Sequence, residues 1–99
     1  MMKVSADKRI EQFLGKLPKE DKARVNRTVQ FFKDKGFLLD ERYLKKLTKS
    51  IWELRPGRVR LLFGVVNDEA VVVNGFIKKT QKTPKKEIDL ALNRIKKYL

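Results

Sequence analysis

The sequence contains no cysteine and no histidine among its 99 residues. Without cysteine, neither a disulfide framework nor a thiolate metal site can form. Without histidine, the chain lacks a common metal ligand and the side chain that most readily exchanges protons near neutral pH. The sequence therefore predicts no cofactor and no metal site. Any catalysis has to rely on carboxylates, lysines, arginines or a larger partner.

Long apolar runs are also missing. No segment approaches the length of a membrane-spanning helix, and the N-terminus lacks the apolar core of a secretory signal peptide. No internal repeat, low-complexity segment or linker divides the chain, and 99 residues suit one modest hydrophobic core. We therefore expect a single domain over residues 1–99, located in the cytoplasm.

Acidic residues are few compared with basic ones. The chain has 25 lysines and arginines against 12 acidic residues, which gives a net charge of +13. This balance indicates a polyanionic partner, such as nucleic acid, an acidic protein or an anionic membrane surface. Lysine-rich surfaces also occur in thermophile proteins, but the local clustering of the cations favours nucleic acid.

Apolar residues at helical spacing predict two N-terminal helices. The first begins after Ser5 as its N-cap and ends at Leu17-Pro18, and the second runs from Pro18 to a stop at Gly36. The short link between them predicts an antiparallel hairpin. Before the first helix, residues 1–4 form either a very short strand or a frayed end.

Three strands are predicted over residues 51–55, 58–66 and 70–77. The turn signal Pro56-Gly57 separates the first two, and their short connections require antiparallel pairing. Alternation places Arg58 on the same face of the second strand as the other arginine of that strand. The third strand is apolar almost throughout, which is typical of a strand covered on both sides.

The remaining segments are predicted to be helical. Leu44 and Leu47 indicate one or two helical turns within residues 37–50, and the last helix begins with Thr83 as N-cap and Pro84 at its first position. The predicted fold is α+β. A small antiparallel sheet of three strands, with a short fourth at the N-terminus as an alternative, packs against the helical hairpin and the C-terminal helix. One sheet face is covered, and the other is open to carry the arginines.

Positive charge concentrates around the Pro56-Gly57 turn and after the third strand. Like charges this close repel each other unless an anion lies between them, so the cluster indicates a phosphate-binding surface. Neutral donors from the same segment complete it. The cluster comprises Arg55, Arg58, Arg60, Lys78, Lys79, Thr80, Gln81 and Lys82.

Cleavage of RNA by its own 2′-hydroxyl needs a proton acceptor, a stabiliser of the phosphorane-like charge and a proton donor. Arginine and lysine can stabilise that charge. The acceptor would be Glu53, or a lysine deprotonated by the repulsion of neighbouring cations. Either is a weak arrangement alone, so a larger partner that aligns the RNA would be needed.

Three segments resemble the HigB-like, phage-derived Gp49-like branch of the RelE toxin superfamily. They are Trp52-Glu53-Leu54-Arg55, Val59-Arg60-Leu61-Leu62-Phe63 and the run from Gly75 to Pro84, GFIKKTQKTP. The resemblance implies a RelE-like toxin of a type II toxin–antitoxin pair. Such a toxin is a hydrolase, an endoribonuclease that cleaves mRNA in the ribosomal A site, beside the 16S RNA of the 30S subunit. Its implied partner is a HigA-like helix-turn-helix antitoxin, through which the pair contacts operator DNA.

The resemblance also implies roles for individual residues. Arg60 matches the arginine that contacts the scissile phosphate, Lys78 and Lys79 match a basic pair, and Arg55 matches the arginine that closes the WELR segment. Lys46 matches a basic position before the sheet and is predicted to bind RNA with Arg58, Thr80, Gln81 and Lys82. The catalytic set is completed by Glu53, which stands where RelE has lysine. Two alternatives remain: a non-catalytic RNA- or ribosome-binding module, and an inactive homologue that retains antitoxin binding.

Overall fold

The computed structural model describes residues 1–99 and contains a five-stranded mixed sheet with three α-helices. The order of strands in the sheet is β1-β5-β4-β3-β2. The strands are β1 (Lys3–Ala6), β2 (Leu44–Lys46), β3 (Trp52–Leu54), β4 (Val59–Val66) and β5 (Glu69–Ile77). The helices are α1 (Lys8–Gly15), α2 (Lys19–Lys35) and α3 (Lys85–Ile95). None of them has the length and apolar character that crossing a membrane requires.

The prediction of an α+β fold with two N-terminal helices is confirmed, and the sheet is larger than predicted. β1 forms the short fourth strand, and it pairs with β5 in parallel, whereas all other neighbours are antiparallel. Between β1 and β5 the chain forms both N-terminal helices and three strands. β5 then lies beside β1 and runs in the same direction.

The prediction of helix around Leu44 is wrong, because Leu44–Lys46 form the edge strand β2, which pairs with β3. A spacing of three residues puts two side chains on one face of a helix but on opposite faces of an extended chain. Leu44 lies in the core under α1 and α2, and Leu47 packs against the core under α3. The two leucines therefore serve two different cores.

Two predicted helix caps are also wrong. Ser5 lies within β1, and the Asp7 carboxylate caps α1 by accepting a 2.9 Å hydrogen bond from the Arg9 backbone N–H. At the last helix, Pro84 occupies the N-cap position, and the Thr83 hydroxyl bonds to Glu53 instead. In contrast, the predicted stop at Gly36 is confirmed, with the glycine at a φ of 59°.

Both faces of the sheet are covered, which corrects the prediction of one open face. α1 and α2 cover one face over Val59, Leu61 and Phe63. α3 covers the other over Leu62 and Val73. α3 spans 11 residues and leaves the end of its face uncovered where β4 begins and β5 ends. This uncovered end is the location of the candidate site.

A β-bulge shapes the sheet at that end. Leu62 pairs with Asn74 and Phe63 pairs with Val72, so Val73 is an extra residue in β5. The bulge turns Asn74 toward α3, where its amide donates to the backbone carbonyl of Glu87 at 3.0 Å. The bulge therefore connects β5 to the first turn of α3.

Candidate active site

A cavity of about 530 Å³ opens where β4 begins, β5 ends and α3 starts. Its walls come from β4, from β5, from α1, from the first turn of α3 and from residues 78–83, which we call the lysine loop. Cations and neutral donors dominate the lining. The lining residues are Phe13, Arg60, Gly75, Phe76, Ile77, Lys78, Lys79, Thr80, Gln81, Lys82, Thr83, Pro84, Lys86 and Glu87.

Arg60 is the buried cation of this cavity, with 7% of its surface exposed. Its Nη1 donates to the carbonyls of Gly57 at 2.7 Å and Val59 at 2.9 Å, and it forms no salt bridge. Burial lowers the pKa of the Arg60 guanidinium, the Arg55 charge lowers it further, and Glu53 opposes the shift. The guanidinium still stays protonated in a protein, so a buried positive charge faces the cavity without a bonded carboxylate.

Glu53 lies behind the cavity and is fully buried. Its Oε2 accepts a hydrogen bond from the Thr83 hydroxyl, and its Oε1 lies 3.2 Å from Nε of Arg55. The Arg55 contact is an ion pair whose geometry is too bent for a hydrogen bond. Both carboxylate oxygens are thus occupied, and Glu53 ties the end of the lysine loop to the sheet.

The lysine loop carries exposed ammonium groups beside Arg60. Lys78, Lys79 and Lys82 are exposed, and none of them forms a salt bridge. The loop is braced at both ends by the backbone bond from Lys78 N–H to the Arg58 carbonyl at 2.7 Å and by Thr83. Within it, the Thr80 hydroxyl donates to the Lys82 carbonyl at 2.8 Å. The charges are therefore carried by exposed side chains on a loop that hydrogen bonds hold at both ends.

The start of α3 adds a further electropositive element. Pro84 at the N-cap provides no capping side chain, so no side chain satisfies the first N–H groups of the helix. Uncapped helix N-termini attract anions through these groups and through the helix dipole. Pro84 and Lys86 both line the cavity, which places this helix end beside the arginine.

Glu87 is the only carboxylate among the residues that line the cavity. Its Oε1 lies 3.2 Å from the Asn74 amide, which acts as donor. Asn74 itself is held by the bulge in β5, and its Oδ1 accepts from the Gly75 N–H at 2.9 Å. The sequence reasoning missed Glu87. Its position four residues after the predicted cap Thr83 could have indicated it, because a residue in the first turn of α3 lies near any site at the start of that helix.

Six of the predicted site residues line the cavity together: Arg60, Lys78, Lys79, Thr80, Gln81 and Lys82. Two others lie immediately outside it. Glu53 is buried behind Thr83. Arg55 follows β3, has about a quarter of its side chain exposed, and lies close enough to Arg60 for its charge to lower the pKa of the Arg60 guanidinium. Arg55 therefore acts on the cavity through its charge rather than as part of its lining.

Arg58 does not share a face with Arg60, and that prediction is wrong. β4 begins only at Val59, so Arg58 lies in the preceding turn and is drawn to the opposite side of the sheet. There it forms a two-pronged ion pair with Asp21 of α2, with Nη2–Oδ2 at 2.7 Å and Nε–Oδ2 at 3.2 Å. The hydrogen bond from Arg58 holds the pKa of Asp21 below its usual value.

Lys46 is also outside the cavity. It lies opposite Trp52 with its Nζ 5.3 Å from the ring centroid, on the face that α1 and α2 cover. Its neighbour Lys45 pairs in register with Glu53 and is exposed on the α3 face. Because this segment was predicted to be helical, the prediction missed the strand alternation that places Lys45 and Lys46 on opposite faces of the sheet.

Similarity to known proteins shows both the fold and the family of this chain. A solved chain from the crystal structure of the archaeal RelE-RelB complex from Pyrococcus horikoshii OT3 superposes with a TM-score of 0.64 at 15% sequence identity. The match covers 78% of this chain and 94% of the archaeal chain, and at this identity it shows that the two share a fold. The comparison with curated proteins found no match. The profile of the family described as Phage derived protein Gp49-like (DUF891) matches residues 12–96, and the chain belongs to that family.

Proposed function

We propose that the protein is the toxin of a type II toxin–antitoxin pair and acts as an endoribonuclease on mRNA in the ribosomal A site. Membership of the Gp49-like family and the RelE-like fold support this class of function. The observation that carries the proposal is Arg60. A buried arginine without a carboxylate partner, at the wall of a lysine-lined cavity, is suited to bind a phosphate and stabilise added negative charge.

The scissile phosphate binds between Arg60 and the lysine loop in this proposal. The guanidinium has nitrogens beyond Nη1, which is the one held by two backbone carbonyls, and these can donate to phosphate oxygens. Lys78, Lys79 and Lys82 add point charges, and the start of α3 adds uncapped N–H groups. Together they favour the phosphorane-like transition state, which carries more negative charge than the ground state.

Glu87 is the proton acceptor in this proposal. Its carboxylate takes the proton of the 2′-hydroxyl as that oxygen attacks the phosphorus, and a lysine ammonium of the loop gives a proton to the departing 5′-oxygen. The products are a 2′,3′-cyclic phosphate and a free 5′-hydroxyl. Glu53 is unsuited to the acceptor role, because it is fully buried, does not line the cavity and is held by Thr83 and Arg55. We assign it the role of positioning Arg55 and the lysine loop.

Dependence on the ribosome follows from what the site lacks. No histidine is present, and the cavity provides cations and one carboxylate but little that could hold a flexible RNA strand in an in-line geometry. Alignment of the reacting atoms can supply a large part of a rate enhancement. We propose that the A site, with its 16S RNA, supplies this alignment.

The proposed partner that silences the toxin is an antitoxin. The RelE fold neighbour was solved as a RelE-RelB complex, which supports a partner of this kind. We propose a HigA-like helix-turn-helix protein, through which the pair would bind operator DNA. The net charge of +13 favours an acidic toxin-binding segment on that partner.

Mapping of mRNA 5′ ends on purified translating ribosomes tests the proposal. Added protein should produce new 5′-hydroxyl ends at A-site codons, and free mRNA should be cut far more slowly. Binding to ribosomes without new ends would favour the alternative of a non-catalytic ribosome-binding module. Absence of both, with an antitoxin still bound, would identify an inactive homologue.

A further inference from the structure

A second basic groove lies on the opposite side of the Pro56-Gly57 turn from the cavity. It has a volume of about 200 Å³ and runs between α2 and the segment that leads into β2. We call it the α2 groove. Its lining residues are Arg24, Arg27, Thr28, Phe31, Tyr43 and Gly57.

The arginines of the α2 groove are free of carboxylate partners. Arg24 and Arg27 are exposed on one face of α2, and neither forms a salt bridge. The nearest acid of the helix, Asp21, is buried and already held by Arg58 through the 2.7 Å contact. Two guanidinium groups therefore face solvent at the groove without a salt bridge, although the charge of Arg24 contributes to lowering the pKa of Asp21.

Aromatic rings form the other wall of the groove. Phe31 and Tyr43 meet edge to face with centroids 6.0 Å apart, and Phe31 is 41% exposed despite its apolar ring. The guanidinium carbon of Arg42 lies 5.6 Å from the centroid of the Tyr43 ring. Tyr43 thus lies beside a cation, and the exposed part of Phe31 offers an aromatic surface of the kind on which nucleic acid bases stack.

The groove and the cavity share no lining residue, but they are linked at the Pro56-Gly57 turn by one hydrogen bond. The carbonyl of Gly57 accepts the 2.7 Å hydrogen bond from Arg60, while a Cβ on the same residue would lie 2.8 Å from Cδ of Arg24. The φ of Gly57 is +58°, a conformation that glycine adopts without strain. Because Gly57 has no side chain, Arg24 and Arg60 can approach this turn from its two sides.

We infer that the α2 groove binds nucleotides that flank the scissile phosphate on the same single-stranded RNA. A base stacks on Tyr43 and Phe31, and Arg24 and Arg27 contact the phosphates that follow. Aromatic faces combined with unpaired arginines are typical of single-strand binding sites. The aromatic rings beside the arginines, and the hydrogen bond that links Gly57 of the groove to Arg60 of the cavity, favour RNA over an acidic protein segment as the occupant. The inference rests on the proposed function, since the cavity has to hold the RNA first.

Binding of a fluorescein-labelled single-stranded RNA of about 12 nucleotides, within the range that single-strand-binding sites cover, tests the groove. The variant R24E/R27E reverses both groove charges. The matched control K22E/K33E makes the same change in net charge on the opposite face of α2, where Lys22 and Lys33 line other parts of the surface. Tyr43→Leu removes the stacking face and keeps the apolar bulk. Circular dichroism establishes that each variant is folded.

R24E/R27E should weaken binding about tenfold more than K22E/K33E, and Tyr43→Leu should weaken it about tenfold relative to wild type. Equal losses in the two charge variants, with Tyr43→Leu unchanged, overturn the inference. So does a loss of antitoxin binding in R24E/R27E without a loss of RNA binding, which would make the groove a protein-docking surface. Ribosomal cleavage measured in parallel separates this inference from the proposed function. If the wild-type protein binds RNA in this pattern without cutting mRNA on ribosomes, the nuclease proposal is refuted and RNA binding by the α2 groove still stands.

Discussion

The two faces of the sheet differ in how positive charge is paired, and two arginines near the start of β4 show the difference. Arg58 turns toward α2 and meets the buried carboxylate of Asp21. Arg60, two residues later, turns toward α3, is almost as buried as the core and meets only backbone carbonyls and the cavity. The charge of Arg58 is thus neutralised by Asp21, whereas the charge of Arg60 is left for an anion.

This difference separates a structural ion pair from a binding site. Burying an unpaired charge costs free energy, so a protein retains one mainly where a ligand completes it. The same contrast applies to carboxylates on the α3 face. Glu53 is locked by Thr83 and Arg55, whereas Glu87 lines the cavity beside a single amide donor. The predictions below test these assignments.

Glu87→Gln is expected to have the largest effect. A missing general base lowers a rate about 10²- to 10⁴-fold, while Gln keeps the shape of the side chain and can still meet the Asn74 amide. Single-turnover cleavage on ribosomes measures the rate. Asp89→Asn on the same helix, where Asp89 pairs with Lys85 in solvent, serves as control. An unchanged rate in Glu87→Gln would remove Glu87 from the mechanism.

Glu53→Ala should destabilise the fold by about 3 kcal/mol, because it leaves Arg55 without its counter-charge and Thr83 without its acceptor. Thr83→Val removes only the hydroxyl and should cost about 1 kcal/mol. Denaturant unfolding measures both values. If Glu53→Ala is as stable as wild type but inactive, Glu53 belongs to the catalytic machinery and is not an anchor.

Gly64→Ala tests how closely α3 covers its face. A Cβ at this position would lie 2.8 Å from Cγ1 of Ile95, and overpacking of this kind costs about 1–2 kcal/mol. Gly15→Ala is the matched control, because no atom lies within 4 Å of its Cβ position, and it should be neutral or slightly stabilising. Thermal unfolding compares the two. Equal stabilities would mean that α3 sits more loosely than described.

The Arg58–Asp21 pair should show the smallest effect, as a dependence of stability on pH. Arg58 lowers the pKa of Asp21 below its ordinary value of 3.8, so the ionised pair stabilises the fold fully above that value. The contribution is lost as the pH falls through the lower folded-state pKa. Arg58→Ala should therefore melt below wild type at about pH 7, with the difference shrinking as the pH falls through the lowered pKa of Asp21. A difference that stays constant with pH would contradict the ion pair.

Much of the fold follows from the sequence because local signals agree with the final packing. Gly36 ends α2, the Pro56-Gly57 turn separates β3 from β4, and the apolar alternation of β4 assigns its faces. The edge strand β2 could not be predicted in this way. Three residues are too few to give a periodic signal. Leu44 is buried because β2 pairs with β3, and this pairing joins residues that are not neighbours in the sequence.

The site was predictable in composition and less so in geometry. The lysine loop and Arg60 were identified because their charges are consecutive or lie on a clear strand. The exclusion of Arg58 and Lys46 from the cavity, and the choice of Glu87 over Glu53, depend on where β4 begins, on the register of β2 and on the bulge at Val73. These features are set by tertiary pairing, which no local pattern reports.

The most direct test compares Arg58→Ala with Arg60→Ala in one assay of ribosome-dependent mRNA cleavage, with unfolding followed on the same samples. We expect Arg60→Ala to lose about 10²- to 10³-fold in rate, as for removal of a transition-state donor, and Arg58→Ala to cut at close to the wild-type rate while losing stability. Equal losses of rate in the two variants, or a larger loss in Arg58→Ala, would contradict the assignment of the two faces.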